Sequence, residues 1–222
     1  VDLKVIANAG LDPAHNAVSV APNSTIKSPK ELKGKKVGVP VGSSAHHFLF
    51  LLLAQNGLKT SDVQLVNLPA PELGNALETK NVDAVAVWEP ITSNIEQQGK
   101  GKVLADSTKV KRAVNVYLTR NDFGTKNPKL VEAFIRATKR ATDFYKKDTK
   151  AAQKAISDES KFPLPVIAKI TKRYDFGLSI GDKDIAALEQ VKDFLRETKV
   201  LKKEFEISEL FDLSYLKRTG LK

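Results

Sequence analysis

The residues best placed to do chemistry in this chain are Gly42-Ser43-Ser44-Ala45-His46, and the chemistry is anion binding. Gly42 lacks Cβ and permits a tight turn. Ser43 or Ser44 then stands where a helix N-cap belongs, its hydroxyl accepting from an N–H two or three residues on. The other open N–H groups of that first turn and the helix dipole hold an oxyanion without a catalytic residue. The same residues also suit an ordinary capped helix after a strand. A second strand-to-helix junction, Trp88-Glu89-Pro90, offers a ring for an alkyl group and a carboxylate for an amine or a structural tie. A lone tryptophan also serves as a plain apolar anchor. His46 sits near the positive end of the helix, which disfavours imidazolium, so it is expected neutral and donating one hydrogen bond. His47 is expected on the opposite side, His15 at the surface, and Asp83 in a structural role. No nucleophile–base pair or acid–base carboxylate pair stands out, so no catalytic residue is assigned.

The elements that must position these residues follow from periodicity. Val37, Val39 and Val41 read as a strand leading into the Gly42 turn, and Asn56-Gly57 stops the helix that follows. Further strands are expected at 1–7, 15–21, 63–68, 82–87, 103–105 and 114–119, with short helices at 29–33, 71–79 and 90–98. Strands alternating with helices imply an α/β domain with a largely parallel sheet. After Arg120 the pattern turns helical. A long helix opens at Asn127-Pro128, with Leu130, Val131, Phe134, Ile135, Ala141, Phe144 and Tyr145 at helical spacing. Helices follow at 149–157, 163–176, 182–199 and 207–211. Their apolar faces need a layer to cover, and only the strands at 1–7 and 114–119 are on offer.

Bulk composition narrows the classes. An apolar fraction of 41% with 28% charged residues describes a globular protein, and no apolar run reaches membrane-helix length. A secretory leader is either absent from the sequence or already removed, and the missing methionines, initiator included, suit a processed piece. The net charge of +10 is spread along the chain without an arginine–aromatic motif, so a solvated surface is expected rather than a nucleic-acid face. With no cysteine, disulfides, thiol nucleophiles and zinc–thiolate sites are excluded. No metal or cofactor is expected.

Four segments together carry a family resemblance: 26–37 (IKSPKELKGKKV), 42–46 (GSSAH), 82–90 (VDAVAVWEP) and 103–106 (VLAD), with the tail from Asp193 to Leu216. The sequence resembles the substrate-binding proteins of ABC importers for nitrate, taurine and alkanesulfonates, most of all the aliphatic-sulfonate type. The resemblance implies an α/β periplasmic-binding-protein-like II fold, with two lobes joined by two crossing strands and the ligand between them. On that template 10–114 form one complete lobe, and 1–9 with 115–222 a partial one. Members normally carry roughly ninety further residues before this point, which supply the rest of that lobe. The implied function is extracytoplasmic capture of a small organic anion by hinge closure, by a monomer that delivers it to a membrane permease. The implied location is the periplasm, or the outer side of a membrane through a lipid anchor. The ligand would meet Gly42, Ser43, Ser44, Ala45 and His46, with Trp88 and Glu89, and Asn8 and Asn115 from the crossings. Nitrate-binding proteins and thiamine-pyrimidine binding proteins or synthases share the fold and give the alternative. The synthases use a cysteine-rich iron motif, which a chain without cysteine lacks. A sensor domain of the LysR kind would need a preceding helix-turn-helix.

Overall fold

The computed structural model describes residues 2–221. In chain order they form β1 (Leu3–Gly10), β2 (Asn16–Val20), β3 (Lys36–Val39), α1 (Ser44–Gln55), β4 (Gln64–Asn67), α2 (Leu73–Glu78), β5 (Ala84–Trp88), α3 (Ile91–Gln97) and β6 (Lys102–Asp106). There follow β7 (Asn115–Arg120), α4 (Asn121–Lys126), α5 (Pro128–Lys147), α6 (Thr149–Ser160), α7 (Leu164–Thr171), α8 (Asp182–Glu197) and α9 (Ser214–Arg218). Packing sorts them into two units. The first comprises Val1–Leu11, Val114–Ser160 and Tyr174–Lys222, the second Asp12–Ala113 and Lys161–Arg173. The segment Lys161–Arg173, grouped by its sequence with the C-terminal helices, thus packs in the second unit. Its helix is also shorter than periodicity suggests, ending at Thr171.

The second unit is built on a five-stranded sheet in the order β4-β3-β5-β2-β6. β3 runs parallel to β4 and β5, whereas β2 lies antiparallel to both β5 and β6. The sheet is therefore mixed, correcting the expectation of a largely parallel one. Connections through α1, α2 and α3 give β3, β4, β5 and β6 one direction, since parallel neighbours need a crossover. β2 arrives without such a helix and slots in the opposite way between β5 and β6.

Alternation along β5 divides the core. Ala84 and Ala86 join Val37, Val39 and the α1 residues Phe48, Leu49, Leu52 and Leu53 on one face. Val85 and Val87 join Leu73, Leu77 and Ile95 on the other. Both faces are covered, so these strands read as continuous apolar runs instead of alternating ones. Asp83 has the structural role expected of it, its Oδ2 accepting from the Lys36 N–H at 2.8 Å.

The first unit has only the antiparallel pair β1–β7 as sheet. Its core is small: Ile6, Ala7, Val131, Ile135, Leu178, Tyr215 and Leu216. Two strands cannot cover the whole apolar stripe of α5. Val131 and Ile135 are buried, while Leu130, Phe134 and Phe144 are 60%, 47% and 48% exposed. Leu118, Phe123, Leu130 and Phe134 line a groove of about 310 Å³ over Ile6 and Val131. Among the described residues no helix is long and apolar enough to cross a membrane.

Phe48 is fully buried between α1 and the sheet. Phe48→Ala should lower stability in urea unfolding by about 3–5 kcal/mol, the usual loss for emptying a buried aromatic site. Phe144→Ala, at an exposed position, should stay within about 0.5 kcal/mol of the parent.

Candidate anion site

Strand direction brings the site together. Because β3 and β5 are parallel, the turn after β3 (Pro40–Ser43) and the Trp88-Glu89 end of β5 lie at the same edge. β2 begins at that edge, with Asn16 opposite Trp88, and β6 ends there, with Asp106 opposite Ala17. Ligands in open α/β sheets gather at the carboxyl ends of strands. Here that edge holds the start of α1, Trp88, Glu89, Asn16 and the Ser107–Lys111 segment.

The first turn of α1 settles which serine caps it. Ser43 is the N-cap, in extended conformation, and its Oγ accepts from the His46 N–H at 3.3 Å. Gly42 makes the preceding turn at φ +83°, the left-handed region that favours glycine. Its N–H donates to His46 Nδ1 at 3.2 Å. His46 is therefore neutral, with its proton on Nε2, and burial pushes its pKa below the ordinary value. The backbone N–H groups of Ser44 and Ala45 meet no acceptor among the hydrogen bonds of the described residues. Ala45 is fully buried, and buried N–H groups without a partner are rare.

Two side chains that sequence reasoning did not select converge on Ser44. Asn16 is fully buried, and its Nδ2 donates to Ser44 Oγ at 3.1 Å while its Oδ1 has no partner. Lys111 Nζ donates to the Ser44 carbonyl at 3.0 Å. Burial pushes the Lys111 ammonium down to about 8. Neither residue belongs to a motif. Asn16 is an isolated polar position at the head of an apolar strand, which is the one signal pointing to it. Lys111 comes from an irregular segment, where no periodicity applies.

Glu89 is largely committed within the second unit. Its Oε2 accepts from the Ser93 N–H at 3.0 Å and its Oε1 from Ser93 Oγ at 2.9 Å, which caps the start of α3. Arg173 Nη2 also donates to Oε1, at 2.5 Å, and Arg173 Nε donates to Asp12 Oδ1 at 2.7 Å. One guanidinium thus bridges two buried carboxylates. Trp88 is half-buried and packs against both core clusters. Asn8 and Asn115 belong to the first unit, and each uses its amide on backbone. Asn8 Nδ2 donates to the Ser179 carbonyl at 3.1 Å and its Oδ1 accepts from the Gly10 N–H at 2.7 Å. Asn115 Nδ2 donates to the Gly10 carbonyl at 3.3 Å.

The remaining histidines also stay neutral at pH 7. His47 is buried on α1, and burial, with smaller contributions from Lys111 and His46, pushes it to about 4. His15 is half-buried, not at the surface as expected; burial lowers it, against the raising influence of Asp12.

Residues 2–152 match the family described as NMT1/THI5 like. An Escherichia coli (strain K12) protein whose name assigns it to aliphatic sulfonates is 30% identical over 197 residues, covering 88% of this chain and 62% of that protein. The taurine-binding periplasmic protein of the same organism is 33% identical over 126 residues, 55% of this chain and 39% of its own. The chain thus spans under two thirds of the length of these relatives. Among solved structures, the periplasmic aliphatic sulphonate binding protein SsuA from Escherichia coli superposes with a TM-score of 0.84 at 27% identity, covering 95% of this chain and 73% of that one. Its likeness confirms the α/β periplasmic-binding-protein fold.

Substitutions at two residues check the electrostatics. Arg173→Met leaves Asp12 and Glu89 buried without their common partner and should cost about 3–5 kcal/mol in chemical unfolding at pH 7. Arg173→Lys should recover only part of this, since an ammonium lacks the fork that spans two carboxylates. His47 binds protons less readily folded than unfolded, so stability holds above its ordinary 6.5 and falls as pH drops toward about 4. His47→Gln should remove up to about 3 kcal/mol of that acid-induced loss, read from urea midpoints across the same range.

Proposed function

The chain belongs to the NMT1/THI5-like family, and from that premise we propose that it serves as the solute-binding part of an ABC importer. Its ligand is a small organic anion of the aliphatic sulfonate or taurine class, held at the start of α1. The observation that carries this reading is the pair of open N–H groups at Ser44 and Ala45, fixed at the sheet edge beside the Ser44 hydroxyl and the Lys111 ammonium. A sulfonate presents three oxygens around a tetrahedral centre, and it needs several donors converging from fixed positions. A capped helix start supplies them without moving. The names of the sulfonate and taurine relatives support the same ligand class.

In this reading no bond is made or broken. The protein acts outside the cytoplasm, gathers the anion and presents it to a membrane permease. Gly42 and Ser43 shape the turn, Ser44 and Ala45 donate, and His46 locks the turn through Gly42. Trp88 offers its partly open ring to the alkyl part of the ligand. Glu89 keeps the start of α3 and Arg173 in place at the same edge.

A ligand that binds only the folded state raises its stability, by about 2.7 kcal/mol when free ligand is a hundredfold above Kd. Ethanesulfonate and taurine should therefore raise the unfolding temperature in a concentration-dependent way, and the neutral isostere ethanesulfonamide should not. Ser44→Leu, which removes the hydroxyl and crowds the open N–H groups, should abolish the shift for both anions alike. An absence of any shift with sulfonates, sulfate and nitrate would count against the receptor reading.

A further inference from the structure

We propose that Lys111 is the charge-selecting residue of the α1 site: its ammonium supplies the positive charge that an oxyanion completes, and the site weakens when that ammonium loses its proton. This rests on the reading above and assigns its selectivity to one side chain.

The geometry carries the argument. Lys111 follows β6, and its half-buried side chain reaches α1 to donate to the Ser44 carbonyl at 3.0 Å. Ser44 is also the residue whose own N–H is open. A carbonyl is a neutral partner, and Lys111 makes no ion pair among the described residues. A half-buried ammonium without a carboxylate is costly unless something anionic joins it. The neighbouring groups do not supply that charge. The charge of Lys111 reaches His15 and His47 and lowers both, and burial, the larger cause, keeps both neutral at pH 7. Asp12 and Glu89 at the same edge are already bridged by Arg173.

An independent observation marks the same spot as incomplete. The Asn16 amide is fully buried, with one end on Ser44 Oγ and the other without a partner. Exchanging the two ends of the amide lets Ser44 Oγ donate to Oδ1 and turns the free end into an N–H₂ donor, since oxygen and nitrogen of an amide occupy equivalent positions. Either way a buried hydrogen-bonding group at Ser44 waits for a partner. In the exchanged orientation an oxyanion answers the free N–H₂ donor, the N–H groups of Ser44 and Ala45, and the ammonium together.

Bound anion and ammonium stabilise one another, so anion binding must raise the Lys111 titration midpoint, which burial alone holds at about 8. By the same linkage, affinity falls about tenfold per pH unit between the free and the bound midpoints. Ethanesulfonate is the suitable probe because it stays fully ionised throughout that range, whereas the amine of taurine titrates within it.

The test follows the Ser44 and Ala45 amides and the Lys111 side chain by NMR, at matched ionic strength with chloride as the control ion. The expected result is that ethanesulfonate shifts both amides at pH 7, that the Lys111 midpoint rises, and that wild-type affinity declines above about pH 8 as the linkage requires. Lys111→Arg should keep neutral-pH affinity across that range. Lys111→Gln should bind at least tenfold more weakly with no pH dependence, while its urea midpoint stays near wild type. If Lys111→Gln binds with the wild-type affinity and pH profile, the assignment of Lys111 is overturned and the anion site stands. If the wild-type amides of Ser44 and Ala45 do not respond to ethanesulfonate at all, the anion site itself falls and Lys111 with it.

Discussion

The parallel pairing of β3 with β5, and the insertion of β2 beside β5 in the opposite sense, is the constraint on which the second unit depends. Strand direction decides which ends of the chain meet. With β3 and β5 aligned, their carboxyl ends deliver the Gly42 turn and Trp88-Glu89 to one edge. With β2 reversed, its beginning rather than its end lies there, so Asn16 faces Ser44 while Val20 is carried to the far side. A parallel β2 would put Asn16 at the wrong end of the sheet. The mixed topology is thus a condition for the site. It is held by valine and alanine side chains that alternate between two covered faces, and a slip of one residue would turn each to the wrong core.

Burial then sets the electrostatics of that edge. Charges removed from water must be paired or given up. Arg173 keeps its charge because two carboxylates share it, and the oxygens of Glu89 are also occupied by Ser93. The three histidines take the other course and are neutral at pH 7, His46 with its Nδ1 committed to the Gly42 N–H. Lys111 fits neither solution. It is partly withdrawn from water, its partner is a carbonyl, and burial alone lowers its proton affinity. Among the ionisable groups at this edge it is the one whose balance an incoming anion restores.

Much of this was legible in the sequence because local rules govern it. The Gly42 turn, a serine cap and the neutral His46 follow from backbone sterics and helix-end chemistry over five residues. The continuous apolar runs at 37–39 and 84–87 announce strands covered on both faces. What local pattern cannot convey is pairing between distant segments. Nothing near Asn16 or Lys111 in sequence indicates Ser44 as their partner, 28 and 67 residues away. Arg173 likewise meets Glu89 across 84 residues and Asp12 across 161. The reversed sense of β2 lies beyond local pattern for a related reason. Alternating strands and helices imply parallel neighbours only for strands that a helix connects, and β2 is entered without one.

The two units differ in how completely they bury their apolar surface, and this bears on where stability resides. A two-stranded sheet alone is marginal in water and needs packing on one face at least. In the first unit β1 and β7 receive that from Val131, Ile135, Leu178, Tyr215 and Leu216, yet Leu118, Phe123, Leu130 and Phe134 stay open around their groove. The second unit covers five strands on both sides with larger clusters. Regions with fewer buried apolar contacts open at lower free-energy cost, in cooperative pieces. The larger share of buried apolar surface lies in the second unit, which also carries the start of α1 and its buried charges. The backbone donors at the start of α1 therefore stand on the unit whose sheet is covered on both faces, and Phe48, Leu49, Leu52 and Leu53 anchor their helix in that core.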